Sequence, residues 1–229
     1  MTSSSNQTNF PTTLLLCRHG ESFWNQEGRA QGQSPAAPGL TNLGREQAKL
    51  LAGRMRTAGV DVLVASDLQR AVETASYVGQ TLDLHPAEDP HWREIHLGQW
   101  QGLTREQVAE RWPEIRAAVD RGEDPPRGGD GETYAQFAAR TMEAIADLAQ
   151  RYTGQTVCVV SHGGNVRAAL MSLPVEPDGA DPRSIHIVNT SVTVIRVADG
   201  QARVVAWPDA SHLDGLTTDP ATSDLDEPR

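Results

Sequence analysis

Two short segments of this 229-residue chain share one design. In the first, Leu14-Leu15-Leu16-Cys17 runs into Arg18-His19-Gly20-Glu21; in the second, Val157-Cys158-Val159-Val160 runs into Ser161-His162-Gly163-Gly164. A short apolar run that stops at such a boundary reads as a buried strand. Side chains that follow at once stand at the carboxyl edge of a sheet, where α/β proteins bind their ligands. Two imidazoles and two helix N-termini at one edge make a site for an anion, best matched by phosphate. A single His-Gly after a strand reads equally well as a structural histidine, whereas the pair, with two further elements, points to a site. Ser66-Asp67-Leu68-Gln69-Arg70-Ala71 puts Arg70 in the first turn of a helix after another strand, and Arg93-Glu94-Ile95-His96-Leu97-Gly98-Gln99-Trp100 puts a carboxyl group, Glu94, after a short third one. A guanidinium then reaches the same sheet edge as the two imidazoles, with a carboxyl group just after the third strand.

The elements that must position these residues alternate between strand and helix. Thr41 is an N-cap for a helix with Leu43, Ala48, Leu51, Ala52 and Met55 on one face and Gly59 as its stop. Val60 to Ala65 reads as a buried strand. Ser66 then caps a helix from Asp67 to about Gln80, with Leu68, Ala71, Val72, Ala75 and Val78 inward, and Leu82 to Pro86 is a short strand. From Asp89 to Gly131 the pattern breaks up around Trp92, Trp100, Trp112, Pro125-Pro126 and Gly128-Gly129. We read it as an excursion over the active edge, a cap with one short helix from Thr104 to Trp112. A long helix, Thr133 to Tyr152, returns to the second histidine-bearing strand, and Asn165 to Leu173 is helical. Alternation in Ser184 to Val188, Ser191 to Val197 and Ala202 to Ala206 predicts late strands, some antiparallel because their connections are too short for crossovers.

Composition narrows the classes. No apolar run is long enough to cross a bilayer, and the Ser/Thr/Asn-rich start lacks the basic and apolar parts of a secretory signal, so a cytoplasmic protein without membrane contact is expected. The formal charge of −10, with no basic stretch, argues against nucleic acid as a partner. From Asp209 onward six acids face one base, Arg229, and residues 208–229 read as an acidic, disordered tail dispensable for chemistry; residues 1–12 read as a flexible lead-in. Cys17 and Cys158 sit in strand patterns without metal-binding spacing and read as core thiols. His91 and His96 are too awkwardly spaced for two ligands on one helical face, so no metal site is expected. The glycines at Gly128 to Gly131 follow no strand and come with no lysine, which favours a cap hinge over a nucleotide-binding loop.

The ordered set of motifs resembles the phosphoglycerate mutase-like branch of the histidine phosphatase superfamily, from about Leu14 to Val197. Arg18-His19-Gly20-Glu21 with Asn25 is similar to the family's nucleophile motif, and Gln31-Gly32 with Leu40-Thr41 and Gly44 to the loop and helix that follow. Ser66 to Ala75, with Arg70 and Thr74, is similar to the second phosphate-binding motif, and Glu94 with Gly98 and Trp100 to the acid motif. Gly128 to Thr133, Ser161-His162-Gly163-Gly164 and Asn189-Thr190-Ser191-Val192 resemble three later signatures. The stretch Gly32 to Gly39 departs from the pattern: it is longer and lacks the usual acid. The resemblance implies a three-layer α/β sandwich with a mostly parallel central sheet flanked by helices, over residues 13–207, and a small cap insertion at about 95–131.

It also implies roles. His19 is the nucleophile that forms phosphohistidine, with a backbone carbonyl on its other ring nitrogen. Arg18, Arg70 and His162 hold the phosphoryl oxygens, Asn25, Gln31 and Gly163 add substrate contacts, and Glu94 is the proton donor. No metal or cofactor is required. Glu94-Ile95-His96-Leu97-Gly98 differs from the Glu-Arg-His-Tyr-Gly that marks the cofactor-dependent mutases, which favours hydrolysis of a small phosphate ester by a monomer or homodimer. The run Arg93 to Thr104 with Gln31 is similar to enzymes acting on glucosyl-3-phosphoglycerate. Mutase-type transfer and non-catalytic binding of a phospho-ligand are the alternatives, the latter disfavoured because a binder has no need of a proton donor.

Overall fold

The computed structural model describes residues 10–176 and 181–216. Six strands, β1 (Thr12–Arg18), β2 (Val62–Ala65), β3 (Ala87–Glu88), β4 (Thr156–Ser161), β5 (Val192–Ala198) and β6 (Gln201–Asp209), form one sheet in the order β3-β2-β4-β1-β5-β6. The first four strands are parallel neighbours; β5 adds antiparallel to β1, and β6 antiparallel to β5. The helices are α1 (Phe23–Gln26), α2 (Asn42–Met55), α3 (Gln69–Leu82), α4 (Arg105–Arg111), α5 (Pro113–Asp120), α6 (Tyr134–Arg151) and α7 (Gly163–Ser172).

Strand alternation builds the two faces. Leu14 and Leu16 of β1 and Val157 and Val159 of β4 pack with Ala144, Ile145 and Leu148 of α6 and Val166 and Leu170 of α7. Their neighbours Leu15, Cys17, Cys158 and Val160 point to the opposite face, against Leu51 and Met55 of α2 and Ala71, Ala75 and Val78 of α3. The two cysteines are buried free thiols, their sulfurs 4.0 Å apart. A third cluster, Ile95, Leu97, Trp100, Val108 and Phe137, joins the cap to α6, so Trp100 is a packing residue of the cap. The result is the expected three-layer α/β sandwich with a cap.

Several expected boundaries shift for physical reasons. The strand expected at Leu82 to Pro86 forms later and shorter, at Ala87–Glu88. Leu82 is taken by α3, which ends on the left-handed Asp83 (φ 56°), and Leu84 donates back to Gly79. No ladder forms over Ser184 to Val188. Pro182–Ser184 is a 3₁₀ turn, and the carbonyls of Ile185 and Ile187 are taken by the guanidinium groups of Arg167 and Arg18 at 2.6 and 2.5 Å. The boundary expected at 207 falls inside β6, which runs to Asp209. Ser211–Leu213 then forms a further 3₁₀ turn that buries Leu213, while residues 217–229 and 1–9 lie outside the described residues. Thr12, expected in the flexible lead-in, is the buried first residue of β1.

Candidate active site

Parallel register accounts for the pairing of the two histidines. Arg18 of β1 lies opposite Ser161 of β4, and the His19 amide continues the ladder to the Ser161 carbonyl at 2.9 Å. The next residue on each strand therefore emerges at the same edge, one strand spacing apart. The ring centroids of His19 and His162 are 5.2 Å apart, inclined at 61°. β2 pairs with the other side of β4, Ala65 opposite Val160, which brings Ser66 alongside. Its Oγ lies 2.9 Å from Nε2 of His162. Ser66 therefore fixes the second histidine instead of capping α3 as expected; Leu68 is the N-cap residue and makes no side-chain cap. Nδ1 of His162 is buried without a hydrogen-bond partner among the described residues, a donor or acceptor left for a ligand.

The tautomer of His19 follows from its partners. Nε of Arg70, in the first turn of α3, donates to Nε2 of His19 across 3.1 Å. A guanidinium has no acceptor, so Nε2 carries the lone pair. The ring proton is then on Nδ1, which donates to the Gly20 carbonyl at 2.7 Å. Burial, with Arg70 and Arg18 close by, pushes the His19 pKa well below its usual value, against the raising effect of the Gly20 hydrogen bond. His162 is likewise held well below, by burial first and then by Arg70, His19, Arg140 and Arg18. Both rings are neutral at neutral pH, and the buried His19 carries its lone pair on Nε2, held by the Arg70 N–H and beside two fixed cations. A neutral ring of this tautomer is chemically able to act as a nitrogen nucleophile toward an anionic centre.

The loop around His19 is held tightly. The Gly20 amide donates to Thr74 Oγ1 at 3.0 Å, and the Glu21 amide to Gln47 Oε1 at 2.8 Å. A Cβ on Gly20 would stand 2.4 Å from the Gly44 carbonyl oxygen, so only glycine lets the loop and α2 approach this closely. Arg70 also donates to the Gly32 carbonyl at 3.0 Å, which ties the long Gly32 to Gly39 loop to the site. Asn25 and Gln31 are both buried beside this loop, their side-chain oxygens drawn to Ser22: the Ser22 amide reaches Asn25 Oδ1 at 3.1 Å and its hydroxyl Gln31 Oε1 at 2.8 Å.

Glu94 arrives from the other side. It is almost fully buried, with Oε1 accepting from the Ile95 amide at 2.8 Å and Oε2 from the Gly164 amide at 3.1 Å, in the first turn of α7. Gly163 opens that helix directly after His162. The structure thus gathers Arg18, His19, Arg70, Glu94, His162 and Gly163 at one sheet edge, with Asn25 and Gln31 flanking the loop.

Sequence reasoning missed the residues that hold Glu94 in place. Arg140 of α6 donates to the carbonyls of His91 and Arg93 at 2.9 Å and pairs with Glu132 at 2.8 Å, while the other arm of the clamp, Glu132, accepts from the His96 amide at 2.8 Å. The glycines read as a hinge are part of this clamp. Gly128 is left-handed (φ 58°), and a Cβ there would lie 2.3 Å from the Leu97 carbonyl oxygen. Glu132 follows these glycines inside a motif already singled out, and that was the available signal. Among the described residues no group of three or more His, Cys, Asp or Glu could hold a metal ion, and no helix is long and apolar enough to cross a membrane.

A six-stranded α/β sandwich with two histidines, two arginines and a glutamate at its carboxyl edge defines a phosphate-handling enzyme of the histidine nucleophile type. Residues 14–210 match the model of the histidine phosphatase superfamily, branch 1, and the chain belongs to that family. A metal-independent phosphoserine phosphatase of Arabidopsis thaliana is 34% identical over 208 residues, 90% of this chain and 84% of the relative. Phosphoglycerate mutase-like protein 4 of the same plant is 32% identical, over 88% of this chain and 86% of its own. Among solved structures, the mycobacterial glucosyl-3-phosphoglycerate phosphatase complexed with VO3 superposes with a TM-score of 0.73 at 32% identity, covering 86% of this chain and 98% of that one. YhfR of Bacillus stearothermophilus gives 0.75 at 33%, covering 88% and 99%. The protein is a histidine-type phosphatase.

Proposed function

We propose that this phosphatase hydrolyses the phosphomonoester of a small carboxylate-bearing alcohol, in the chemical class of phosphoserine and glucosyl-3-phosphoglycerate, through a phosphohistidine on His19. The observation that carries the mechanism is the His19 ring, with Nδ1–H held on the Gly20 carbonyl and the Nε2 lone pair directed at the Arg70 guanidinium. When the bound phosphoryl group takes the Arg70 N–H onto one of its own oxygens, the Nε2 lone pair is freed and attacks phosphorus as the ester P–O bond breaks. Arg18, Arg70 and His162 supply the charge and hydrogen bonds that the equatorial oxygens need, the largest contribution a protein makes to this transition state. Glu94 gives its proton to the departing alkoxide, then takes one from the water that attacks phosphohistidine; P–N cleavage releases phosphate and restores neutral His19. Asn25, Gln31 and the Gly163 end of α7 add hydrogen bonds to the bound ester.

The leaving-group end has its own support. A cleft of about 560 Å³ is lined by Arg127, Arg167 and Arg183 with Tyr134, Val119 and Met171. Burial pushes the Tyr134 hydroxyl up to about 12, against the lowering effect of Arg167 and with the Glu94 charge adding to the rise. The hydroxyl is buried without a hydrogen-bond partner among the described residues. Glu123 and Asp124 also line the cleft; Arg127 is paired with Asp124 at 3.1 Å and Arg167 is turned to the carbonyls of Pro182 and Ile185, so the exposed Arg183, beside the phenol, is the cation best placed for a carboxylate. Two named relatives act on esters of this kind.

Phosphate release should be measured over phosphoserine, glucosyl-3-phosphoglycerate, 3-phosphoglycerate, glucose 6-phosphate and para-nitrophenyl phosphate, with and without EDTA. Carboxylated esters should be preferred, Arg183→Ala should raise KM for these alone, and EDTA should change nothing. Preference for the neutral sugar phosphate would overturn the substrate class. Interconversion of phosphoglycerates without phosphate release would replace hydrolysis by mutase chemistry, and tight binding without turnover would leave a phospho-ligand binder.

A further inference from the structure

The acidic residues that close the chain read as a tail, yet their first part reaches the back of the nucleophile loop. Asp209 ends β6, its carboxylate accepts from the Ser211 amide at 3.0 Å, and the 3₁₀ turn Ser211–Leu213 follows. This places His212 between two partners. Nη1 of Arg54, on α2, lies 3.3 Å from its Nδ1, and Thr190 Oγ1 lies 3.2 Å from its Nε2. Because a guanidinium only donates, Nδ1 is the acceptor, the ring proton is on Nε2, and Nε2–H donates to the Thr190 hydroxyl oxygen.

Thr190 is a β-branched residue in the left-handed region (φ 58°), where such residues are rarely found and need support from outside. In that conformation its amide is shared between the carbonyls of Arg18, at 3.1 Å, and His19, at 3.3 Å. Asn189 Nδ2 donates to the same His19 carbonyl at 3.0 Å. A continuous set of hydrogen bonds therefore runs from Arg54 through His212 and Thr190 to the peptide groups that carry the nucleophile. The charged groups facing His212 are Arg54 on α2 and Asp209 on β6, themselves paired at 2.8 Å. Burial and Arg54 outweigh Asp209 and hold His212 down at about 4, so the neutral tautomer persists through the neutral range.

We infer that His212 is a positioning residue: its Nε2–H holds Thr190 in the left-handed conformation from which the Thr190 amide grips the Arg18 and His19 carbonyls. The inference rests on the reading of His19 as nucleophile, so full-length wild-type protein is first rapid-quenched on para-nitrophenyl phosphate. Absence of an acid-labile phosphoenzyme there counts against that reading alone. The single-turnover phosphorylation rate at 25 °C is then compared for His212→Phe, His212→Gln and Thr190→Val. Small misplacement of a nucleophile costs rate steeply, so His212→Phe should phosphorylate about tenfold more slowly with KM within about twofold. His212→Gln, which restores an N–H donor, should recover most of the rate. Thr190→Val removes the acceptor alone and should match His212→Phe, and the double variant should be no slower than either single one, as for two halves of one interaction. A full rate in folded His212→Phe, failure of Gln to rescue, or additive losses would overturn the inference. Should His212→Phe not fold, a full rate in folded Thr190→Val overturns it equally.

Discussion

Arg70 Nε and His19 Nε2 are joined by a 3.1 Å hydrogen bond in which the arginine can only donate. One guanidinium thus aims the nucleophilic lone pair and, through its charge, helps keep the ring unprotonated. Arg70 is therefore expected to act twice, on the ring and on the phosphoryl group.

Replacing Arg70 by Ala should lower kcat/KM by about 10² to 10³, the usual cost of one preorganised donor to a charged transition state. It should also change the pH profile. His19 works as the neutral ring, so activity is lost as pH falls through its depressed pKa. Removing a neighbouring cation raises that pKa and moves the acid limb to higher pH. A kcat/KM profile on para-nitrophenyl phosphate reads both effects; a limb that stays in place would show that Arg70 does not set the ionisation of His19.

Glu94→Gln separates two leaving groups. An alkoxide must be protonated as it departs, whereas nitrophenolate leaves unaided. General-acid help is typically worth about 10² to 10⁴, so single-turnover phosphorylation should suffer by that order with phosphoserine and far less with para-nitrophenyl phosphate. Multiple-turnover rates would hide the contrast, because both substrates share the water-attack step. Equal first-step losses would falsify the proton-donor role and leave Glu94 as a positioning carboxylate.

Gly164→Ala should imitate that variant while leaving the carboxyl group chemically unchanged. A Cβ there would lie 2.0 Å from Glu94 Oε1 and 3.1 Å from the Phe137 ring, so the carboxyl group must move off the Gly164 amide. Alanine favours the helix by about 1 kcal/mol, so α7 itself should not suffer. Slower phosphoserine turnover with near-normal para-nitrophenyl phosphate phosphorylation is the expected outcome. Wild-type rates on both would mean that Glu94 tolerates displacement.

Stability should fall as the solution becomes more acidic. His19, His162 and His212 all have depressed folded-state pKa values, His212 at about 4. Below the unfolded value of about 6.5 the unfolded chain binds protons that the folded chain refuses, which favours unfolding. The buried rings of His19 and His162 can each contribute up to about 1.4 kcal/mol per pH unit below about pH 6.5, and the half-buried His212 less, because solvent screens it. Melting temperatures at pH 7 and pH 5 check this, and His212→Gln should lose less over the interval than wild type. A melting temperature that is flat or rises toward pH 5 would contradict the assignment of three neutral rings, two buried and one half-buried.

The sequence by itself determined the strands that carry His19 and His162, the helices α2, α4 and α6 with Thr41 as the cap of α2, and the chemistry of the edge. Those features are local: an apolar run, a cap and a glycine act within a few residues of themselves. What tertiary structure alone decided are partnerships across the chain. Ser66 reads as a helix cap until the β2 and β4 register sets it beside His162, 96 positions away. Arg140 is one more surface charge of α6 until the loop before Glu94 folds onto it. Ser184 to Val188 has the alternation of a strand, but its carbonyls go to Arg18 and Arg167, which arrive from β1 and α7. His212 looked like part of an acidic tail because composition averages over a segment, whereas one buried leucine and one imidazole between Arg54 and Thr190 suffice to fix it. A polar residue in a sequence does not reveal its partner, since hydrogen bonds between distant segments exist only once the sheet order has brought those segments together.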